Sequence, residues 1–230
     1  MLRSETVQTA DTHKSRHEHQ LHAIRRLDWR FLLSNPKLDR VIYFGPKESS
    51  LQTVLQDFCG EVCVCTTHVA EGDSENQHSF DLAVVKSHDY RVIKAAYSKL
   101  KGGGHVYWEV DRTNWVPPIK RSGQMKSNGK MVTRGVGVQL HIQSVRQFGF
   151  KDVTAYWHRP DFENCLDIIP LNDRKALEYF LSGDRKDFKG RLKTSAGRFL
   201  KQTKLLKFVI SSVSIVGRKP ENLPESKKGI

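Results

Sequence analysis

A chain of 230 residues fits one large domain or one domain plus appendages, and 38% apolar side chains suffice for a proper core. No run approaches the roughly 18 to 20 continuous apolar residues of a membrane helix, and the polar start MLRSETVQTADTHKSRHEHQ lacks the apolar stretch of a secretion signal; the expectation is one cytoplasmic domain. The formal charge of +13 is concentrated late, where residues 171–230 hold 15 Lys or Arg against 6 Asp or Glu, a balance that suits an anionic partner or a well-solvated surface.

In chain order, residues 1–20 read as a flexible N-terminus, 21–219 as a single α/β domain and 220–230 as a flexible tail. His13 and His17 stand at i, i+4, but with no cysteine beside them no metal site is expected. Short segments rich in β-branched and aromatic residues predict strands at RVIYFG (40–45), EVCVCTT (61–67), FDLAVVKS (80–87), HVYWEVD (105–111), KDVTAYWH (151–158) and SSVSIVGRK (211–219). Apolar spacing near 3.6 predicts helices over 49–59, 90–101, 136–150 and 173–183. This alternation predicts a mostly parallel, Rossmann-like sheet with helices on both faces.

Several stretches carry chemistry. In VIYFGPKESSL (41–51) a strand runs into Gly45 and then a helix start; Lys47, Ser49 and Ser50 there suit a phosphate or carboxylate. In KSHDY (86–90), at the carboxyl end of the central strand, His88 reads as a base and Asp89 as the group orienting it, or both as caps of the helix that starts at Tyr90. Glu109 and Asp111 end another strand, as cleft acids or as solubilising surface charges. The loop 115–135 is long, basic and placed as a substrate lid. Tyr156-Trp157-His158-Arg159 reads either as a stacking platform for a sugar or base, or as a strand with one buried and one exposed aromatic. Cys59, Cys63, Cys65 and Cys165 lack C-x-x-C pairs and read as buried reduced thiols. In KGRLKTSAGRFLKQTKLLKFVI (189–210) basic residues alternate with apolar ones at helical spacing, which suits a solvated helix face or a docking surface for an anionic partner.

Taken together, the V-I-Y-F-G turn, the strand FDLAVV, Leu100-Lys101-Gly102-Gly103-Gly104, the strand HVYWEV, Gly149-Phe150, DVTAYWH and SVSIVGRKP resemble the class I S-adenosylmethionine-dependent methyltransferases over about residues 40–219. LDWRFLL (27–33) and YWHRPDFENCLDIIPL (156–171) are similar to methyltransferase-like proteins that accompany bacterial glycan or natural-product biosynthesis. The resemblance implies a closing antiparallel strand pair. It also implies S-adenosylmethionine held near Gly45, Lys47, Ser49, Ser50, Thr66, Thr67 and Lys86, with His88 and Asp89 facing the transferred methyl group. The chain departs from the family pattern at Tyr43, where an acid is usual, and at Lys47 and Ser49, where glycines are usual. Thr66-Thr67 stand where an acid usually meets the ribose, and the 12 residues 68–79 leave no room for a further helix and strand, so the sheet is expected to be abbreviated there. Glu71 or Asp73 in that loop are the remaining candidates for the ribose.

Two functions follow. One is a methyltransferase acting on a small-molecule or glycan intermediate, phosphorylated or not. The other is an inactive methyltransferase-like protein that binds an anionic ligand or a protein partner, the partner meeting the basic C-terminal region. Charge alone leaves nucleic acid open, but no recognition module points to it.

Overall fold

The computed structural model describes residues 21–65, 79–87, 89–111, 137–182, 210 and 212–221. Helix α1 (residues 21–26) leads through a 3-10 turn, Asp28–Leu32, to strand β1 (Arg40–Phe44), and α2 (Ser50–Phe58) leads to β2 (Glu61–Cys65). β3 (Phe80–Val85), α3 (Tyr90–Lys99), β4 (Leu100–Asp111), α4 (Val138–Gln147) and β5 (Lys151–Arg159) follow, then β6 (Asp167–Pro170), α5 (Arg174–Ser182) and β7 (Ser212–Arg218).

The strands form one sheet in the order β2-β1-β3-β4-β7-β5-β6. β2, β1, β3 and β4 pair in parallel; β7 runs antiparallel between β4 and β5, and β6 is antiparallel to β5. This is the expected Rossmann-like sheet with a parallel centre and an antiparallel closing pair. β6 was not anticipated, because DIIP is too short to show alternation in the sequence.

Strand alternation sorts the core into two layers. Val41, Tyr43, Leu82, Val84 and Tyr107 face one side, under Leu51, Val54 and Leu55 of α2 and under Leu27, Trp29 and Leu33. Ile42, Phe44, Ala83, Val85, Val106 and Trp108 face the other, under Val92, Ile93 and Ala96 of α3 and Val138 and Val145 of α4. α2, α3 and α4 each bury residues at i, i+3 or i+4 spacing, so the expectation of helices on both faces holds. Trp29 stacks on Tyr107 with ring centroids 3.8 Å apart, which fastens the segment before β1 to the middle of the sheet.

Two expectations change. The helix predicted over 90–101 ends at Lys99, and LKGGG belongs to β4, where the register with β3 jumps from Phe80–Leu100 to Leu82–His105. Gly104 is needed in this irregularity, since a Cβ there would lie 3.0 to 3.1 Å from the carbonyl oxygens of Lys101, Asp81 and Phe80. The cysteines differ too: Cys165 is buried, whereas Cys59, Cys63 and Cys65 are only half-buried, the last two because β2 ends the sheet among the described residues. No helix among the described residues is long and apolar enough to cross a membrane.

Candidate functional site

The strand order reverses between β1 and β3: the chain leaves β1 toward β2 on one side and returns to β3 on the other. In an open α/β sheet the crevice outside the carboxyl ends at such a reversal is the preferred ligand position. Gly45 follows β1 there and Lys86 follows β3, and Glu109 lies near the end of β4. β5 runs alongside in the same sense as β4, with Trp157 and Val110 both paired to Val213, so the turn after β5 brings Glu163 to the same edge.

At this edge the β1–α2 turn is filled by its own side chains. The Tyr43 ring folds back over Gly45, where a Cβ would stand 2.4 Å from Tyr43 Oη and 2.5 Å from Cζ. Tyr43 is fully buried, and its hydroxyl shares a 2.7 Å hydrogen bond with Ser49 Oγ. Burial raises its pKa above the ordinary tyrosine range against the pull of that hydrogen bond. Ser49 is the N-cap of α2, with extended backbone, and its Oγ also accepts from Gln52 N at 3.1 Å. Gly45 thus makes room for a tyrosine of the same turn, and Ser49 spends its hydroxyl on the cap and on Tyr43.

Behind this turn lies an ionic network whose key residue, Arg26, the sequence did not single out. Arg26 Nη1 meets Glu109 Oε1 at 2.7 Å and Nη2 donates to Oε2 at 2.9 Å, with side chains only 3% and 1% exposed. Tyr107 donates to Glu109 Oε1 at 3.3 Å. Burial works against the Arg26 charge, but Glu109 outweighs it and raises the pKa. Glu109 is therefore neither a free cleft acid nor a surface charge; it is one half of a buried pair. The signal for the partner was weak in sequence, because Arg26 is one of two adjacent arginines in a mixed apolar and basic stretch, 83 positions away.

The remaining candidates divide. Ser50 Oγ donates to Glu163 Oε2 at 2.8 Å and Lys86 Nζ lies 3.8 Å from Glu163 Oε1, so these two come together with a glutamate that sequence reasoning passed over. Lys47 is exposed and makes no ion pair among the described residues. Asp89 caps α3, accepting from Arg91 N at 2.9 Å and pairing with the Arg91 side chain at 2.7 Å. That Arg91 contact, as hydrogen bond and as charge, holds the carboxyl below its ordinary range. His88, Thr66, Thr67, Glu71, Asp73, the loop 115–135 and the basic segment 189–209 lie outside the described residues, as does the Asp111 side chain. On the opposite face, Tyr90 Oη and His141 Nδ1 share a 2.6 Å hydrogen bond beside Trp108, a pairing invisible in sequence because α3 and α4 meet only in the fold.

Tyr156-Trp157-His158-Arg159 does not form an open platform. His158 is buried, with Nε2 2.8 Å from Ser214 Oγ and Nδ1 3.5 Å from Cys165 Sγ, while Tyr156 and Trp157 are half-buried. Burial, then the charge of Arg26, lowers the His158 pKa to about 3. The unfolded chain takes up this proton near pH 6.5, so between the two values it binds more protons than the native state. The His158 contribution is accordingly complete above about pH 6.5 and is lost as pH falls toward 3, at up to about 1.4 kcal/mol per pH unit. Urea unfolding of wild type and His158→Gln at pH 7 and pH 5 checks this: the wild type is expected to lose about 1 to 2 kcal/mol more than the variant.

No protein-family model matches the chain, and no curated protein matches it in sequence. Solved structures do resemble it in fold. One is a SAM-dependent methyltransferase from Archaeoglobus fulgidus, at 13% identity over 87% of this chain and 94% of that one, with TM-score 0.48. Another is Haemonchus contortus phosphoethanolamine N-methyltransferase 2 in complex with S-adenosyl-L-methionine, at 13% identity over 85% and 52% of the two chains, with TM-score 0.45. A third is the complex of the Haloferax volcanii Trm112 methyltransferase activator with a methyltransferase, at 13% identity over 98% and 100%, with TM-score 0.43. At these identities and scores the likeness concerns fold and says nothing of ligand or reaction. The strand order, the parallel centre and the antiparallel β7 between β4 and β5 stand by themselves: the chain carries a class I methyltransferase-like fold.

Proposed function

We propose that this domain uses the methyltransferase-like scaffold as a binding module, recognising an anionic ligand at the carboxyl edge of its sheet without S-adenosylmethionine in the β1–α2 turn. One observation carries the reading: the Tyr43 hydroxyl lies 2.4 Å from where a Gly45 Cβ would be, so the turn is closed by the chain itself. A glycine turn serves a cofactor by letting the ligand approach the backbone. Here the approach to Gly45 is taken by a fully buried ring, Ser49 is engaged as a cap, and position 43 has no acid to meet an amino group. Fold alone does not choose between activity and binding; the chemistry of the site does. The domain therefore acts on its partner by holding it, and a small-molecule or glycan intermediate bearing a negative group suits the lysine and serine donors at this edge.

Calorimetric titration with S-adenosylhomocysteine, beside an active methyltransferase as positive control, tests the reading. No saturable heat and no thermal shift are expected. Saturable one-to-one binding would overturn the proposal and restore transfer of a methyl group to a small-molecule acceptor as the function.

A further inference from the structure

Glu163 sits among more donors than it satisfies. Ser50 Oγ of α2 donates to its Oε2 at 2.8 Å, Arg26 Nε of α1 stands 3.4 Å from the same oxygen, and Lys86 Nζ beyond β3 stands 3.8 Å from Oε1. Only the first is a hydrogen bond. Arg26 Nε is buried and has no hydrogen-bond partner, although its two terminal nitrogens are fully engaged by Glu109. Buried donors left unpaired are rare in native folds and ask for an explanation. The carboxylate that half fills this place is itself 50% exposed, on the turn between β5 and β6, and Lys86 is 28% exposed. The donors are thus held by three elements of the domain, whereas their occupant comes from a surface turn.

We propose that Arg26, Ser50 and Lys86 form a phosphoryl-binding site that Glu163 occupies until a phosphorylated ligand displaces it. This rests on the reading of the domain as an anion-binding module and names its site and ligand class. A planar carboxylate uses one oxygen for both Ser50 and Arg26 and turns the other toward Lys86, which leaves two of the three approaches too long. A tetrahedral phosphoryl group offers a terminal oxygen to each donor, and the amino end of α2, where Ser50 is the first helical residue, adds favourable polarity. The charges agree: Arg26 and Lys86 face Glu109 and Glu163, so removal of Glu163 leaves one uncompensated positive charge at the site.

The test is a titration of the full chain with inorganic phosphate at constant ionic strength, followed through the amide resonances of Ser50, Gln52 and Lys86, with acetate as the planar control. Glu163→Ala is expected to bind phosphate at least tenfold more tightly than wild type and to gain less for acetate. Adding Lys86→Ala to that variant is expected to return the affinity at least tenfold toward wild type. Both positions are partly exposed, so the variants are expected to fold, and unchanged amide spectra elsewhere check this. A Glu163→Ala affinity equal to wild type, or a gain indifferent to Lys86→Ala, would overturn the site. Either result leaves the S-adenosylhomocysteine titration untouched, so the two proposals fail separately.

Discussion

Glu109→Ala is expected to destabilise the fold by about 3 to 5 kcal/mol, the usual effect of removing one member of a buried ion pair. The Arg26 guanidinium, now 3% exposed, would be left in the interior with its two terminal donors, at 2.7 and 2.9 Å from Glu109, facing no acceptor, while Tyr107 would lose one of its hydrogen-bond contacts. Glu163 does not replace Glu109, because it reaches Arg26 only through Nε at 3.4 Å. The loss follows from a stranded charge and not from missing attraction, so the double variant Arg26→Met with Glu109→Leu is expected to recover most of it. Urea unfolding of the two singles and the double measures this directly. A Glu109→Ala loss under about 1 kcal/mol would mean that the pair is solvated, against the burial described above.

Gly45→Ala is expected to cost about 1 to 3 kcal/mol, the range for forcing an extra methyl group into a packed interior. The added Cβ would meet Tyr43 Oη at 2.4 Å and Cζ at 2.5 Å, and the fully buried ring, tied by its hydroxyl to Ser49, must shift to admit it. Reduced freedom of the unfolded chain returns about 0.4 to 1 kcal/mol of this. In a Tyr43→Val background the obstacle is gone, and the same substitution is expected to cost only a few tenths of a kcal/mol, giving a coupling within the 0.5 to 3 kcal/mol seen for residues in contact. Equal costs in the two backgrounds would show that Gly45 is kept clear for something other than Tyr43. A glycine reserved for a ligand behaves in the opposite way, since its substitution weakens binding and leaves the stability of the free protein nearly unchanged.

The strands were legible because their signals are local. FDLAVV, HVYWEV and SVSIVG are dense in β-branched and aromatic residues, and each becomes a strand within a few residues of the expected limits. One cap was equally local: Asp89 accepts from the backbone amide two residues ahead, a spacing written in the sequence, whereas Ser49, read as a donor to an anion, caps α2 through the amide three residues ahead. LKGGG misled because glycines signal a break in a helix and an irregularity in a strand alike, and only pairing with β3 distinguishes the two.

At the site the balance reverses. VIYFGPKESSL announced a strand-to-helix turn with a single glycine, but which atoms fill the space over Gly45 depends on the direction taken by the Tyr43 ring once α2 has packed on the sheet. Lys86 and Ser50 were named from their own segments, whereas Arg26 and Glu163 entered only when α1 and the turn after β5 closed over the same edge. Thus the sequence by itself determined the alternation of strands and helices, the two-layered core and the erosion of the glycine turn, since each is a matter of residue type and short spacing. Only the tertiary structure decided that Glu109 is half of a buried pair and that one carboxylate occupies a cluster of donors. Those contacts join residues from 77 to 137 positions apart, and a charge acquires its meaning there from the partner and the burial that the fold supplies.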